Sequence, residues 1–259
     1  MTKASTSPWS WALAGSLAGL LLAGVLNAPA SWLGALVQQG LNGRLLFEDP
    51  RGTLWNGSAR LLLAGGAGST DSAALPGRLN WAIRPVWFGL QADLHADCCT
   101  QQPWRWRVTP QWGGAVLVLG DNLSQWPAQW LTGLGTPWNT VQAEGQLLLT
   151  TRQLSLQWVS GRLVVGGSAQ LDATHISSRL STLKPMGSYR IMLSGGATTG
   201  FSLETLEGSL QLIGNGQWVG SKLRFDGAAS AAPERLDALS NLLNIIGRRD
   251  GARAIIKVG

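Results

Sequence analysis

From residue 47 onward, apolar residues recur in short runs that often alternate with polar ones. Each run is bounded by glycine, serine, threonine, asparagine or proline. The alternation is clearest in Gln153–Trp158, where Leu154, Leu156 and Trp158 fall on one face of an extended segment. Ala115–Leu119, Ser188–Leu193 and Ser221–Phe225 are further strand-like runs, the last of them alternating. A glycine followed, after one residue, by leucine and a strand-like run appears at Gly52-Thr-Leu-Trp55, Gly77-Arg-Leu-Asn-Trp81, Gly145-Gln-Leu-Leu-Leu149, Gly161-Arg-Leu-Val-Val165 and Gly208-Ser-Leu-Gln-Leu212. Each reads as a turn residue opening a strand. Sequential strands joined by short turns pair as hairpins, so the pattern predicts an antiparallel, curved β-meander with one buried and one wet face. The spacing is irregular, which argues against a strict solenoid.

Helical periodicity is confined to a few places. Residues 32–45 read as a short helix or membrane-proximal stalk, and Asn122–Leu131 as a short helix interrupted or started at Pro127. Pro233–Ile246 is the strongest case. Pro233 suits the first helical position, Glu234 the positive end of the dipole, and Gly247 the stop. Leu236, Leu239, Leu243 and Ile246 form one apolar stripe. Ala252–Val258 reads as a closing strand.

The amino-terminal region follows another rule. No charge appears from Ala4 until Arg44, and Trp9–Leu26 is apolar throughout except for glycine and serine. Such a run is long enough for a transmembrane helix, with Trp9 and Trp11 at one interface and Trp32 at the other. A cleaved signal peptide is the rival, since Ala28-Pro-Ala30 imitates a small-residue cleavage site; the uninterrupted Trp32–Val37 continuation favours an uncleaved anchor. With Lys3 as the flanking positive charge, residues 1–8 are expected in the cytoplasm, 9–30 as the anchor, 31–46 as the stalk, and 47–259 as a β-rich periplasmic domain.

Composition supports a mainly β fold. Charged residues make up 13% of the chain, well below the roughly 25% of average domains, and 34 glycines suit many short strands better than long helices. The net charge of +6 comes from singly scattered arginines, with short runs only at Arg105–Arg107 and Arg248–Arg249. That distribution argues against a nucleic-acid face and for solvated charge attracted to acidic headgroups. Cys98 and Cys99 are adjacent, about 3.8 Å apart at Cα and closer than an ordinary disulfide, so they read as two thiols in a loop.

Candidate chemistry is sparse. His95 lies in Asp93-Leu-His-Ala-Asp97, whose three polar side chains alternate onto one face; a polar strand or turn facing water explains them better than zinc. His175 reads as a turn residue. There is no Gly-x-Ser-x-Gly elbow, and Gly214–Lys222 has its serine before its lysine, so it reads as a hairpin turn and not a phosphate loop. No catalytic, cofactor or metal set follows. Among 14 tryptophans, Trp81, Trp87 and Trp158 fall in apolar strand patterns and are expected to pack on the sheet. Trp104 and Trp106 flank Arg105; these three, with Leu210 on a later strand, are the expected partner interface.

The anchor, the Gly52-Thr-Leu-Trp-Asn-Gly57 block, the Leu79-Asn-Trp-Ala-Ile-Arg-Pro85 block, the leucine-rich helix before Gly247 and the closing strand together resemble the type II secretion system protein N family. The resemblance implies a non-catalytic inner-membrane component of the machine that exports folded proteins across the outer membrane. Its partners would be other apparatus subunits. A leucine-rich curved sheet leaves a second expectation, a groove for lipid or another apolar ligand.

Overall fold

The computed structural model describes residues 9–66, 68–196, 198–219 and 222–259. Lys3 with the rest of residues 1–8, and Ser221 at the head of one expected strand, lie outside them.

Helix α1 (Trp9–Leu26) is followed by α2 (Ala30–Gly40) and then by the strands. The first strands are β1 (Leu45–Gly52), β2 (Asn56–Ala64), β3 (Ser72–Ala74), β4 (Leu79–Val86), β5 (Gly89–Ala96), β6 (Trp104–Gln111), β7 (Gly114–Leu119) and β8 (Asn122–Pro127). A 3₁₀ segment (Ala128–Leu134) and a single helical turn, α3 (Trp138–Val141), lead to the two longest strands, β9 (Glu144–Val159) and β10 (Arg162–Ser177). Then come β11 (Gly187–Ser194), β12 (Gly200–Gly208), β13 (Leu210–Val219) and β14 (Lys222–Ala231). Helix α4 (Leu236–Ile246) and the hairpin of β15 (Arg248–Asp250) and β16 (Arg253–Val258) end the chain.

The strands form one antiparallel sheet in the order β1-β2-β4-β5-β6-β7-β9-β10-β11-β12-β13-β14-β16-β15, with β3 beside β2 and β8 beside β9. This is the expected meander. Its first and last strands do not pair with each other among the described residues, so the sheet is open. Register sets apolar residues opposite one another on one face from β4 to β11: Trp81 opposite Leu94, Leu94 opposite Trp104, Trp106 opposite Leu119, Leu119 opposite Leu154, and Ala169 opposite Leu193.

Two ends of that inner face are covered. At the C-terminal end, Leu239, Leu242 and Leu243 of α4 bury themselves against Leu210, Ala229 and Ala254. At the N-terminal end, α2 approaches through Gly34, where an added Cβ would stand 3.2 Å from Phe47 Cβ. Close by, Trp126 and Trp130 stack at 5.6 Å beside Leu61, Leu75 and Ala96. Between them, the cluster around Leu119, Leu154 and Val165 is lined only by strand residues.

Several expectations are corrected. Asn122–Pro127 is a strand and not the start of a helix, because β9 runs past the end of β7 and offers Gln146–Thr151 for pairing with β8. Tertiary pairing overrides the local helical signal there. Thr53–Trp55 form the turn after β1, and the strand opens only at Asn56. Gly214 and Gly216 lie within β13, not in a turn. His175 sits inside β10 at a register shift, with φ of 53°. Gly247 is extended (φ −169°), carrying α4 directly into β15, a strand the sequence pattern did not announce. Cys98 and Cys99 form a disulfide with each other, their Cα atoms 3.7 Å apart, so they are not two thiols.

Helix α1 has 18 residues, about 27 Å at about 1.5 Å per residue, against the about 30 Å of a bilayer core. Among the described residues no helix is long and apolar enough to cross a membrane, so a complete transmembrane span is not found. Its large apolar side chains, from Trp11 at 81% to Val25 at 49%, are nevertheless exposed.

Candidate interaction surfaces

The outer face of the sheet is where charge collects, and neighbouring strands satisfy it pairwise. Asp93 on β5 accepts from Arg84 on β4 and from Arg105 on β6, the latter at 3.0 Å. Partial burial pushes the Asp93 carboxyl up, but the two guanidinium groups outweigh it and hold it below the usual carboxylate range. Asp172 on β10 is gripped by Arg190 of β11 at 2.7 and 3.1 Å, which lowers its pKa against the opposing effect of burial. Asp49 in β1 is lowered chiefly by its hydrogen bond from Arg78 and then by that from Arg51. The Asp93 and Asp172 pairs cross between neighbouring strands and support the register on the wet face, whereas Asp49 is held by Arg51 of its own strand and by Arg78 just before β4.

Residues that resembled a ligand set are used otherwise. His95 Nδ1 lies 3.0 Å from the Thr100 hydroxyl, while Asp97 accepts from the Arg78 backbone N–H and the Asn80 amide. Among the described residues no group of three or more His, Cys, Asp or Glu side chains could hold a metal ion. The Cys98–Cys99 turn instead joins β5 to β8: Gln125 donates its N–H to the Cys99 carbonyl at 2.8 Å, and Thr100 bridges Ser124.

The expected interface residues separate. Trp104 and Trp106 meet edge to face at 5.2 Å on the inner face, beside Leu119 and Leu154, and Trp104 donates Nε1–H to the Gly120 carbonyl. Arg105 points to the outer face, on Asp93. Leu210 is 3% exposed beneath α4, distant in strand order from the other three. The structure thus brings the two tryptophans together but joins neither Arg105 nor Leu210 to them.

Trp87 and Trp158, expected to pack on the sheet, are exposed instead. Trp87 sits in the β4–β5 turn at 91% exposure, and Trp158 near the end of β9 at 52%. Trp112, in the β6–β7 turn, is fully exposed, as is most of Phe88. Sequence reasoning missed this because a tryptophan next to a strand pattern is normally buried. The available signal was closeness to a glycine at a turn: Trp87 and Phe88 run into Gly89, Trp112 into Gly113, and Trp158 stands three residues before Gly161.

A model of one protein family, described as type II secretion system (T2SS), protein N, matches residues 43–256. No curated protein and no solved structure matches the chain.

Proposed function

The chain belongs to the type II secretion system protein N family, and from that premise we propose that it is a non-catalytic component of the secretion apparatus. It works through protein contacts in the periplasm, held at the inner membrane by α1. The family match over residues 43–256 carries this reading. Support for the tether comes from α1, which has no charge and presents its leucines and tryptophans outward. The polar outer face, with Arg105 and the neighbouring Asp93, offers the rim chemistry that subunit contacts use.

In-cell photocrosslinking tests it. A photoreactive residue replacing the exposed Arg105, and others replacing Trp104 and Trp106, is expected to capture other subunits of the apparatus. Deletion of the gene is expected to lower secretion of folded cargo. Capture of no apparatus subunit from any position, with secretion intact, would sink the reading.

One observation favours a second reading, an apolar-ligand or lipid trough. The inner face around Leu119, Leu154, Leu156 and Val165 is apolar, and among the described residues its cluster is lined by strand residues and by no helix. Mass spectrometry of the protein purified without detergent is expected on this reading to find bound lipid, and Leu156→Glu to abolish it. Lipid-free protein with normal folding would exclude it.

A further inference from the structure

Three hairpins of the sheet turn at the same end. Val86 pairs with Gly89, Gln111 with Gly114, and Val159 with Arg162, closing tight turns at residues 87–88, 112–113 and 160–161. Gly114 also pairs with Val159, which sets the second turn beside the third, and Leu90 pairs with Val108, which sets the first beside β6. At these tips stand Trp87 (91% exposed), Phe88 (80%) and Trp112 (103%), with Trp158 (52%) at the last step of β9. Trp87 and Phe88 stack on each other, centroids 5.9 Å apart, and not on the body of the domain.

We propose that this end of the sheet is a membrane-contacting rim, its aromatic tips seated in the headgroup layer of a phospholipid surface. Three observations select lipid over a protein partner. The first is residue type: tryptophan and phenylalanine, apolar bodies on projecting turns, are the residues that favour a bilayer interface. The second is charge. Residues 84–91, 107–116 and 156–165 contain Arg84, Arg107 and Arg162 and neither aspartate nor glutamate. Arg162 has no carboxylate partner among the described residues. Arg84 is already held by Asp93, so Arg162 and Arg107, the latter likewise without a carboxylate partner among the described residues, supply the charge that matches an anionic lipid surface. The opposite end of the sheet differs, its connections 97–103, 178–186 and 232–247 carrying Asp97, Arg179, Lys184, Glu234, Arg235 and Asp237.

The third observation is continuity with α1. The β1–β2 turn lies at the same end, since the Ile83 N–H on β4 donates to the Trp55 carbonyl, four residues before the Trp87 tip. That turn holds the end of α1: Trp55 Nε1–H donates to the Val25 carbonyl at 2.7 Å, and the Leu54 N–H to the Ala28 carbonyl at 2.7 Å. The uncharged exposed helix and the aromatic tips therefore belong to one end of the molecule. A consequence concerns the inner apolar face, whose Leu90, Val108, Trp158 and Leu163 are all 40% or more exposed near this end. That face opens toward the lipid.

The inference rests on the membrane-held reading given above, and the test separates the two. Single cysteines replace Phe88, Trp112, Leu20 in α1, or Arg179 at the opposite end. Each carries an environment-sensitive dye, and Cys98 and Cys99, bonded to each other, do not compete for it. The full chain is reconstituted in vesicles of phosphatidylethanolamine with a minority of phosphatidylglycerol, some lipids bearing a headgroup or acyl-chain nitroxide. Dyes at 88 and 112 are expected to shift blue and lose most of their emission to headgroup nitroxides, while the dye at 179 keeps its emission. Quenching at Leu20 with none at 88 or 112 would overturn the rim and leave the tether. Quenching at none of the four would overturn both. Equal quenching at 179 and at the tips would overturn the proposed orientation.

Discussion

Asp172 and Arg190 illustrate what single residues contribute. Arg190 donates two hydrogen bonds to a carboxyl whose side chain is 14% exposed, and so lowers its pKa below the ordinary 3.8. A carboxyl lowered on folding binds fewer protons in the folded chain than in the unfolded one. Its stabilisation is complete above the unfolded value and is lost as the pH falls through the folded one. Arg190 is 32% exposed, so solvent screens the pair. Asp172→Asn is expected to cost about 1 kcal/mol at neutral pH and almost nothing well below pH 3.8, measured by denaturant unfolding at both. An equal cost at both would refute an electrostatic origin. A second residue-scale feature is Phe225, whose ring crosses β13 so closely that a Cβ on Gly214 would lie 2.3 Å from its Cζ. Gly214→Ala is expected to destabilise by about 1–3 kcal/mol in thermal unfolding. That close approach explains why the glycines of Gly214–Gly216 were legible as punctuation but were assigned to a turn. In a single sequence, a glycine making room for a ring looks the same as one making a bend.

At the scale of elements, α4 shows which local signals survive folding. Pro233, the acidic first turn and the leucine stripe were all readable, and the helix forms over Leu236–Ile246. Its buried face is Leu239, Leu242 and Leu243, with Leu236 and Ile246 only partly covered. Leu243 is 0% exposed over Ala229 and Ala254, so Leu243→Ala is expected to cost about 2–5 kcal/mol. A cost below about 0.5 kcal/mol in equilibrium unfolding would show α4 to be a surface appendage. Elements whose existence depends on a distant partner were not readable. β8 forms because β9 is sixteen residues long, and β15 because β16 is there to receive three charged residues. The candidate surface divides the same way. Trp104 and Trp106 were recognisable as a pair, but it takes the extended backbone of β6 to send Arg105 to the opposite face, and the packing of α4 to bury Leu210.

For the whole molecule, an open sheet must avoid joining its free edges to other copies. The two ends of the strand order solve this differently. β1 carries Pro50, a register shift between Glu48 and Arg51, and α2 packed against Phe47. β15 is only three residues long, and all three are charged. Arg248 and Asp250 lie opposite Ile255 and Arg253, on the face away from α4, whereas Arg249 shares the face of the buried Ala254. Replacing Arg248 and Asp250 together by valine removes one positive and one negative charge, leaving the net charge at +6. Electrostatic repulsion between copies is then unchanged, and the edge becomes apolar and strand-favouring. The double variant is expected to keep its unfolding midpoint but to form concentration-dependent dimers or larger species by light scattering after gel filtration, while the parent chain does not associate through this edge. If the variant behaves as the parent does, brevity alone guards β15.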